Sequence, residues 1–386
     1  MRRPQGAATI EVMLSPATNR RRPEHLALAL AAFAVLELLA IPATLAADEP
    51  KPTSHRDEIE VARILIDARV VDAHGEAIPD LNVTNFRVRI GRKRAVVESA
   101  EWISGRVVTR RPATVAPNAQ PTKPTRPAPG AITASSSPTA PNAGRLIIFF
   151  FQRDLHPTRM VGLMKMVQRA DELLDTLEPN DRVAIFCYDS HLRLYSDFTK
   201  ERETTRRILH ESIITYSNAP PYLAKGFPSI ASSFDAVAAK NAPNPERALW
   251  IVGQSLSELP GPKSMFFFGW GLGRMVAGSF AQLRAEYSTA LRALSDSRVT
   301  VFSLDVTNAD YHSLEGPLRT IAVDTGGFYV KTHIFSKIAI ERVMKALDGH
   351  YLLTVRRPLT LGPGRHEISV TLHRASGTVY ARRWIN

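Results

Sequence analysis

The run Leu146–Phe151 places six large apolar residues in succession, without the polar alternation of a strand that has one wet face. Such a run suits a strand covered on both faces, and that is the condition of a parallel sheet between layers of helix. The residues that follow agree with this. Met160, Leu163, Met164, Val167, Leu174 and Leu177 recur at helical spacing. Pro179-Asn180-Asp181 breaks the chain, Arg182–Tyr188 is a second buried strand, and His191–Phe198 reads as its antiparallel neighbour. Helices are predicted near 200–213, 230–240, 245–258, 279–296 and 337–348, and another ends over Leu318–Val323 before Gly326-Gly327. Strands are predicted at Ser264–Phe268, Val299–Leu304 and Phe328–Val330. Residues 145–349 therefore read as an α/β domain, doubly wound around a mainly parallel sheet.

β segments flank this unit. In 57–104, Ile64, Ile66, Ala68 and Val70 alternate with Arg63, Leu65, Asp67 and Arg69. Phe86, Val88 and Ile90 alternate with Arg87 and Arg89, and a short strand is expected over Ala95–Trp102. In 350–386, Tyr351–Val355, a strand around Ile368–Leu372 and Thr378–Ile385 are β, with Ala375-Ser376-Gly377 as a hairpin turn. The two segments are expected to pair, so that the α/β unit is an insertion in a small β-domain.

The remaining stretches are not core. Residues 1–47 carry Arg20-Arg21-Arg22, an apolar run over Leu26–Ala46 and small residues at Ala43–Ala47, the pattern of a cleaved signal peptide or of a retained signal anchor. An exported, periplasmic, secreted or envelope-associated protein is expected, with membrane contact only through that anchor. Residues 105–143 hold eight prolines among Ala, Thr, Ser and Asn, the composition of an extended linker. Cys187, the single cysteine, cannot form an internal disulfide and reads as a small core residue. The net charge is +12; residues 1–46 hold five Arg and three Glu, which leaves +10 on the rest. Five of those basic residues lie in the linker, which contains no acid. The folded parts are then only mildly basic, which argues against nucleic acid as a partner.

Several segments, in order, resemble the acidobacterial proteins with a domain related to von Willebrand factor A. They are Val70-Val71-Asp72 through Asp80-Leu81 to Asn85-Phe86; Phe150-Phe151 leading to Asp154-Leu155-His156; Asp181-Arg182-Val183-Ala184; Asp197-Phe198-Thr199; Phe234-Asp235-Ala236-Val237; Asp324-Thr325-Gly326-Gly327; and Tyr351-Leu352-Leu353 with the closing hairpin. The resemblance covers about residues 57–386 without the linker, and it implies a Rossmann-like fold of the von Willebrand type.

That family's fold usually carries a metal-ion-dependent adhesion site, in which carboxylates and hydroxyls at strand ends hold Mg²⁺ and leave one position for a partner's acidic group. The resemblance places the positions of that site on Gln152 or Arg153, Ala231 and Gly269, none of which supplies the expected carboxylate or hydroxyl. It therefore implies a degenerate site without Mg²⁺ or other cofactor. Asp154, His156, Thr158, Ser232 and an exposed Trp270 remain as candidate binding residues over the carboxyl-terminal strand edge, where open α/β sheets bind ligands. Asp154 or Thr158 would equally serve as a cap for the helix near Met160. Neither G-x-S-x-G nor H-E-x-x-H occurs. Gly269-Trp270-Gly271-Leu272-Gly273 lacks the Gly-Lys-Ser/Thr ending of a phosphate loop. The expectation is a non-enzymatic binding or adhesion module for a protein or an anionic envelope polymer. Its rivals are a metal-dependent binder using Asp154 and Ser232, and a purely structural scaffold.

Overall fold

The structure, a computed structural model, describes residues 62–105, 144–154, 156–215, 219–276, 280–309, 311–333 and 336–385. The expected signal or anchor segment and nearly all of the Pro-rich stretch lie outside the described residues.

The α/β sheet has six strands: β4 (Leu146–Gln152), β5 (Arg182–Tyr188), β6 (Leu192–Thr199), β7 (Lys263–Gly269), β10 (Val299–Asp305) and β11 (Tyr329–Lys331). Their spatial order is β11-β10-β7-β4-β5-β6. All neighbours are parallel except β5 and β6, so the sheet is mixed, with one antiparallel edge strand. The chain winds from β4 to one edge and then from β7 to the other, which places the topological switch point between β4 and β7.

Successive residues of β4 serve opposite faces, as the pleat requires. Ile147, Phe149 and Phe151 pack with α1 (Pro157–Thr176), α2 (Arg202–Ile208) and α7 (Ser336–Ala346). Ile148 and Phe150 pack with α3 (Ala236–Lys240), α4 (Pro245–Ser255), α5 (Tyr287–Asp296) and α6 (Glu315–Thr325). The apolar runs are thus continuous because helices cover both sides. Phenylalanines stack across the central pair of strands, Phe149 on Phe266 at 5.6 Å and Phe151 on Phe268 at 4.6 Å. Cys187 is buried, and burial pushes its thiol up to about 12, so it is a core residue and not a nucleophile.

The helix expected over 279–296 begins only at Tyr287. Before it, β8 (Arg274–Val276) and β9 (Phe280–Gln282) form a two-stranded hairpin. Gly273 opens that hairpin at φ +82°, where an added Cβ would meet the Gln282 carbonyl at 2.3 Å. The helix expected over 200–213 changes to a π-helical turn at Leu209–Ile214.

The second sheet is antiparallel and has seven strands, so it is not a small appendage. β1 (Arg63–Val71), β2 (Phe86–Ile90) and β3 (Lys93–Ser104) precede the α/β unit. β12 (Gly349–Arg356), β13 (His366–Leu372), β14 (Thr378–Ala381) and β15 (Trp384–Ile385) follow it. The order is β14-β1-β12-β3-β2-β13-β15. β12 lies between β1 and β3, so strands from the two ends of the chain interleave. The expected closing hairpin does not form, because β13 pairs with β2 and β15 whereas β14 crosses to β1. The sheet meets the amino-terminal edge of the α/β sheet: Arg69 of β1 donates to Ser264 and Thr300, near the starts of β7 and β10. The opposite, carboxyl-terminal edge carries the candidate site.

Candidate functional site

Gln152 ends β4 at the switch point and is 1% exposed. Its Nε2 donates to the Gly271 carbonyl at 2.8 Å, and its Oε1 accepts from the backbone N–H groups of Trp270 and Gly271 at 3.0 and 3.1 Å. The carboxamide therefore ties the exit of β4 to the exit of β7. A carboxylate would lack the donor that meets the Gly271 carbonyl. Gly269 is glycine for a local reason: an added Cβ would stand 2.9 Å from Gln152 Oε1 and from the Phe267 ring. Leu314 packs over Gly271 so closely that a Cβ there would lie 2.5 Å from its own.

Arg153 is 2% exposed. Its backbone N–H donates to the Tyr188 carbonyl at 2.8 Å, which keeps it beside β5. The guanidinium donates to Asp189 Oδ2 at 2.6 Å and to the Ile213 carbonyl, in the π-helical turn, at 3.1 Å. Burial alone would raise the Asp189 carboxyl. Donation from Arg153 and from the Ser190 N–H outweighs this and holds it down at about 2. A fixed cation with its own buried counter-ion thus occupies one of the two candidate positions for the metal aspartate. Neither Gln152 nor Arg153 offers a divalent cation an oxygen that is not already engaged. Among the described residues, no group of three or more His, Cys, Asp or Glu side chains is placed to hold a metal ion.

Asp154 is half-buried and does not cap α1. The N-cap position is His156, which makes no side-chain cap bond, and α1 opens with Pro157. Asp154 Oδ1 instead accepts from the His156 N–H at 2.8 Å, and Oδ2 pairs with Arg159. The Arg159 guanidinium in turn lies over the Trp270 ring, 3.7 Å from its centroid. Trp270 is half-buried against the α1 face of the core rather than exposed, and its indole N–H is buried without an acceptor. Asp154, Arg159 and Trp270 thus form a linked trio at the ends of β4 and β7. His156 is exposed beside them, and the Thr158 side chain lies outside what is described. Ala231 and Ser232 are exposed in a turn, and Ser232 makes no side-chain hydrogen bond among the described residues. Asp235 caps α3 by accepting from the Val237 and Ala238 N–H groups.

Two carboxylates at this edge do not stand out in the sequence. Asp305 ends β10; its Oδ2 accepts from the Tyr329 hydroxyl at 2.6 Å and lies 2.6 Å from His312 Nε2, and its Oδ1 accepts from the Thr307 N–H at 2.9 Å. Glu246, fully buried in the first turn of α4, accepts from the Gly273 N–H at 2.5 Å and lies 3.8 Å from Arg284. Asp305 is engaged through both oxygens, whereas Glu246 Oε2 is buried without a hydrogen-bond partner. Asp305 follows its apolar run directly, which is the one sequence signal that marks it.

No protein-family model matches the sequence, and no curated protein matches it either. Solved structures do. The BatB protein from Bacteroides thetaiotaomicron is similar over 53% of this chain and 98% of its own, with 13% identity and a TM-score of 0.35. A von Willebrand factor type A protein from Catenulispora acidiphila is similar over 62% of this chain and 66% of its own, with 12% identity and a TM-score of 0.36. The manganese-loaded TRAP protein of Plasmodium vivax is similar over 63% of this chain and 94% of its own, with 11% identity and a TM-score of 0.34. Among the described residues, no helix is long and apolar enough to cross a membrane.

Proposed function

We propose that this protein is an exported, non-enzymatic binding module of the von Willebrand factor A type, which engages its partner at the carboxyl-terminal edge of the α/β sheet without a resident divalent ion. The observation that carries this reading is the filling of the metal positions from within. Gln152 spends its carboxamide on the β7 exit, and Arg153 brings its own positive charge, paired with Asp189. A divalent cation needs several free oxygen ligands and would be repelled by Arg153.

In the metal-bearing version of such a site, the ion attracts an acidic group of the partner. Here Arg159 supplies a cation at the same edge. It is about a third exposed, with 29% of its side chain open to solvent. Asp154 and the Trp270 ring orient it, and a carboxylate or phosphate of a protein or envelope polymer would compete with Asp154 for its fork.

The experiment is thermal unfolding of the chain in EDTA and then in millimolar Mg²⁺ or Mn²⁺. A ligand that binds only the native state must stabilise it, by about 2.7 kcal/mol at a hundredfold excess over Kd. An unchanged midpoint is expected. A saturable rise that disappears in Asp154→Ala would overturn the metal-free reading and favour a metal-dependent binder using Asp154 and Ser232.

A further inference from the structure

The antiparallel sheet meets the α/β unit through a group of buried and half-buried cations that outnumbers its acids. Arg69 is 4% exposed; its guanidinium donates to the hydroxyls of Thr300 and Ser264, at 3.0 and 3.3 Å, and lies over the Phe302 ring 5.4 Å from its centroid, with Nε left without a hydrogen-bond partner. Lys263 is 1% exposed, and its ammonium donates to the carbonyls of Leu259, Gly261 and Ser297. Arg382 donates to the Leu65 carbonyl at 2.8 Å, and its Nε is likewise buried and unpartnered. The one carboxylate paired with cations in this group is Asp67. It accepts both arms of Arg298, at 2.6 and 3.0 Å, and lies 3.3 Å from His350 Nε2. Burial pushes Arg69 down to about 10, and burial with repulsion from Arg298 pushes Lys263 down to about 8. Both shifts mark positive charge that its neighbours do not fully compensate.

A surface cleft of about 390 Å³ opens beside this group, between the start of β1 and the end of α5. Arg63, Arg298, Arg357 and Arg382 line it, with Asp296 as the only acid among the lining residues. Arg63 also pairs at its outer side with Glu98 at 2.7 Å, and Arg298 with Asp67, so an incoming phosphate would share these two cations with their carboxylates. A pocket of about 20 Å³, enough for one water, is lined by the same Arg298 and Arg382 together with Asp67 and Thr300. Arg298 holds φ at +53°, the left-handed region usually left to glycine after a helix, and yet is a long cation clamped by Asp67. Arginine forks match the tetrahedral oxygens of phosphate, and each such bond gains from charge on both partners.

We propose that this cleft is a phosphate-binding site, separate from the carboxyl-terminal edge, in which Arg63, Arg357 and Arg382 hold a phosphate group against the junction of the two sheets. The phosphate could be a free or small-molecule phosphate, or one unit of a phosphodiester polymer; the chemistry is shared and the probes separate the two.

The test titrates the full chain with inorganic phosphate and, separately, with poly(glycerol phosphate), against sodium chloride at matched ionic strength. It reads the unfolding midpoint and the heat of binding. A saturable rise is expected with at least one probe, and the tighter probe names the source. Arg357→Ala and Arg63→Ala, each at the cleft rim, should weaken binding at least tenfold and leave the midpoint in chloride nearly unchanged. Arg94→Ala, on the exposed turn side of β3, should leave binding intact. The proposal fails if neither probe exceeds chloride. It fails equally if both rim variants bind within twofold of the parent.

Discussion

The Arg153 guanidinium and the Asp189 carboxylate meet at 2.6 Å with side-chain exposures of 0% and 8%, and so join the exits of two neighbouring parallel strands. Removing one member of a buried pair strands the other charge, at a cost of about 3–5 kcal/mol, whereas replacing both by apolar groups is often close to neutral. Arg153→Met should therefore lower stability in urea by about that amount. The double variant Arg153→Met with Asp189→Leu should recover most of the loss. A double-variant loss equal to the sum of the Arg153→Met and Asp189→Leu losses would mean that the pair is not coupled.

The same pair sets a pH dependence. Asp189 titrates at about 2 in the folded chain, against an ordinary 3.8. Its contribution is complete above the ordinary value and is lost as pH falls from about 4 towards 2, and a shift of that size is worth about 2 kcal/mol. Between pH 5 and pH 2.5 the parent should lose more stability than the Arg153→Met, Asp189→Leu variant. Parallel curves for the two proteins would refute the assignment.

Arg159→Ala tests the trio at the candidate surface. Its ion pair with Asp154 is partly exposed, and pairs of that kind contribute about 0–1 kcal/mol. A cation over an indole adds about 0.5–1 kcal/mol at an exposed site. The variant should unfold within about 1.5 kcal/mol of the parent, and its tryptophan emission should change because Trp270 loses its cover. A much larger loss would make Arg159 a structural clamp rather than a recognition group.

The α/β layers are legible in the sequence because their signal is local. Leu146–Phe151 is apolar throughout, and the helical spacing over Met160–Leu177 needs no partner to be read. The β8–β9 hairpin is not legible, since each strand is three residues long and the helical pattern of Tyr287, Ala290, Leu291 and Leu294 extends backwards over it. That Gln152 and Arg153 fall where the resemblance places a metal aspartate can be read from the motif, but what these side chains contact cannot. Asp189 lies 36 residues from Arg153, and Gly271 lies 119 residues from Gln152. Only the strand order brings them together. Asp67 meets Arg298 and His350 at the junction for the same reason, in each case across more than 200 residues.

The interleaving of β1, β12 and β3 predicts how the chain responds to cutting. A protease site engineered into 106–143 should give two pieces that still elute together, since β3 pairs with β2 and β12 while β1 pairs with β12 and β14. A fragment covering only 145–386 should aggregate. It would leave Tyr351, Leu353 and Val355, each now 0% exposed, on a strand without either neighbour. A monomeric fragment with a single cooperative unfolding transition would contradict the description of the sheet as one unit built from both ends of the chain.

Gly269 tests the proposal that the edge is closed to a metal ion against the alternative that it merely lacks a ligand. The Cβ of Gly269→Ala would stand 2.9 Å from Gln152 Oε1 and from the Phe267 ring, and overpacking of this kind costs about 1–3 kcal/mol. Gly269→Asp restores a carboxylate at the β7 exit but meets the same obstruction and faces the Gln152 oxygen. It should be at least as destabilised as the alanine variant and should show no Mg²⁺-dependent rise in its unfolding midpoint. Adding Gln152→Asp would supply a second carboxylate, yet Arg153 would pair with it more readily than an incoming ion would, so the midpoint should still not respond. A Mg²⁺ response in either variant with Arg153 intact would mean that the fold keeps a metal site awaiting only its acids, and that Arg153 is no barrier to it.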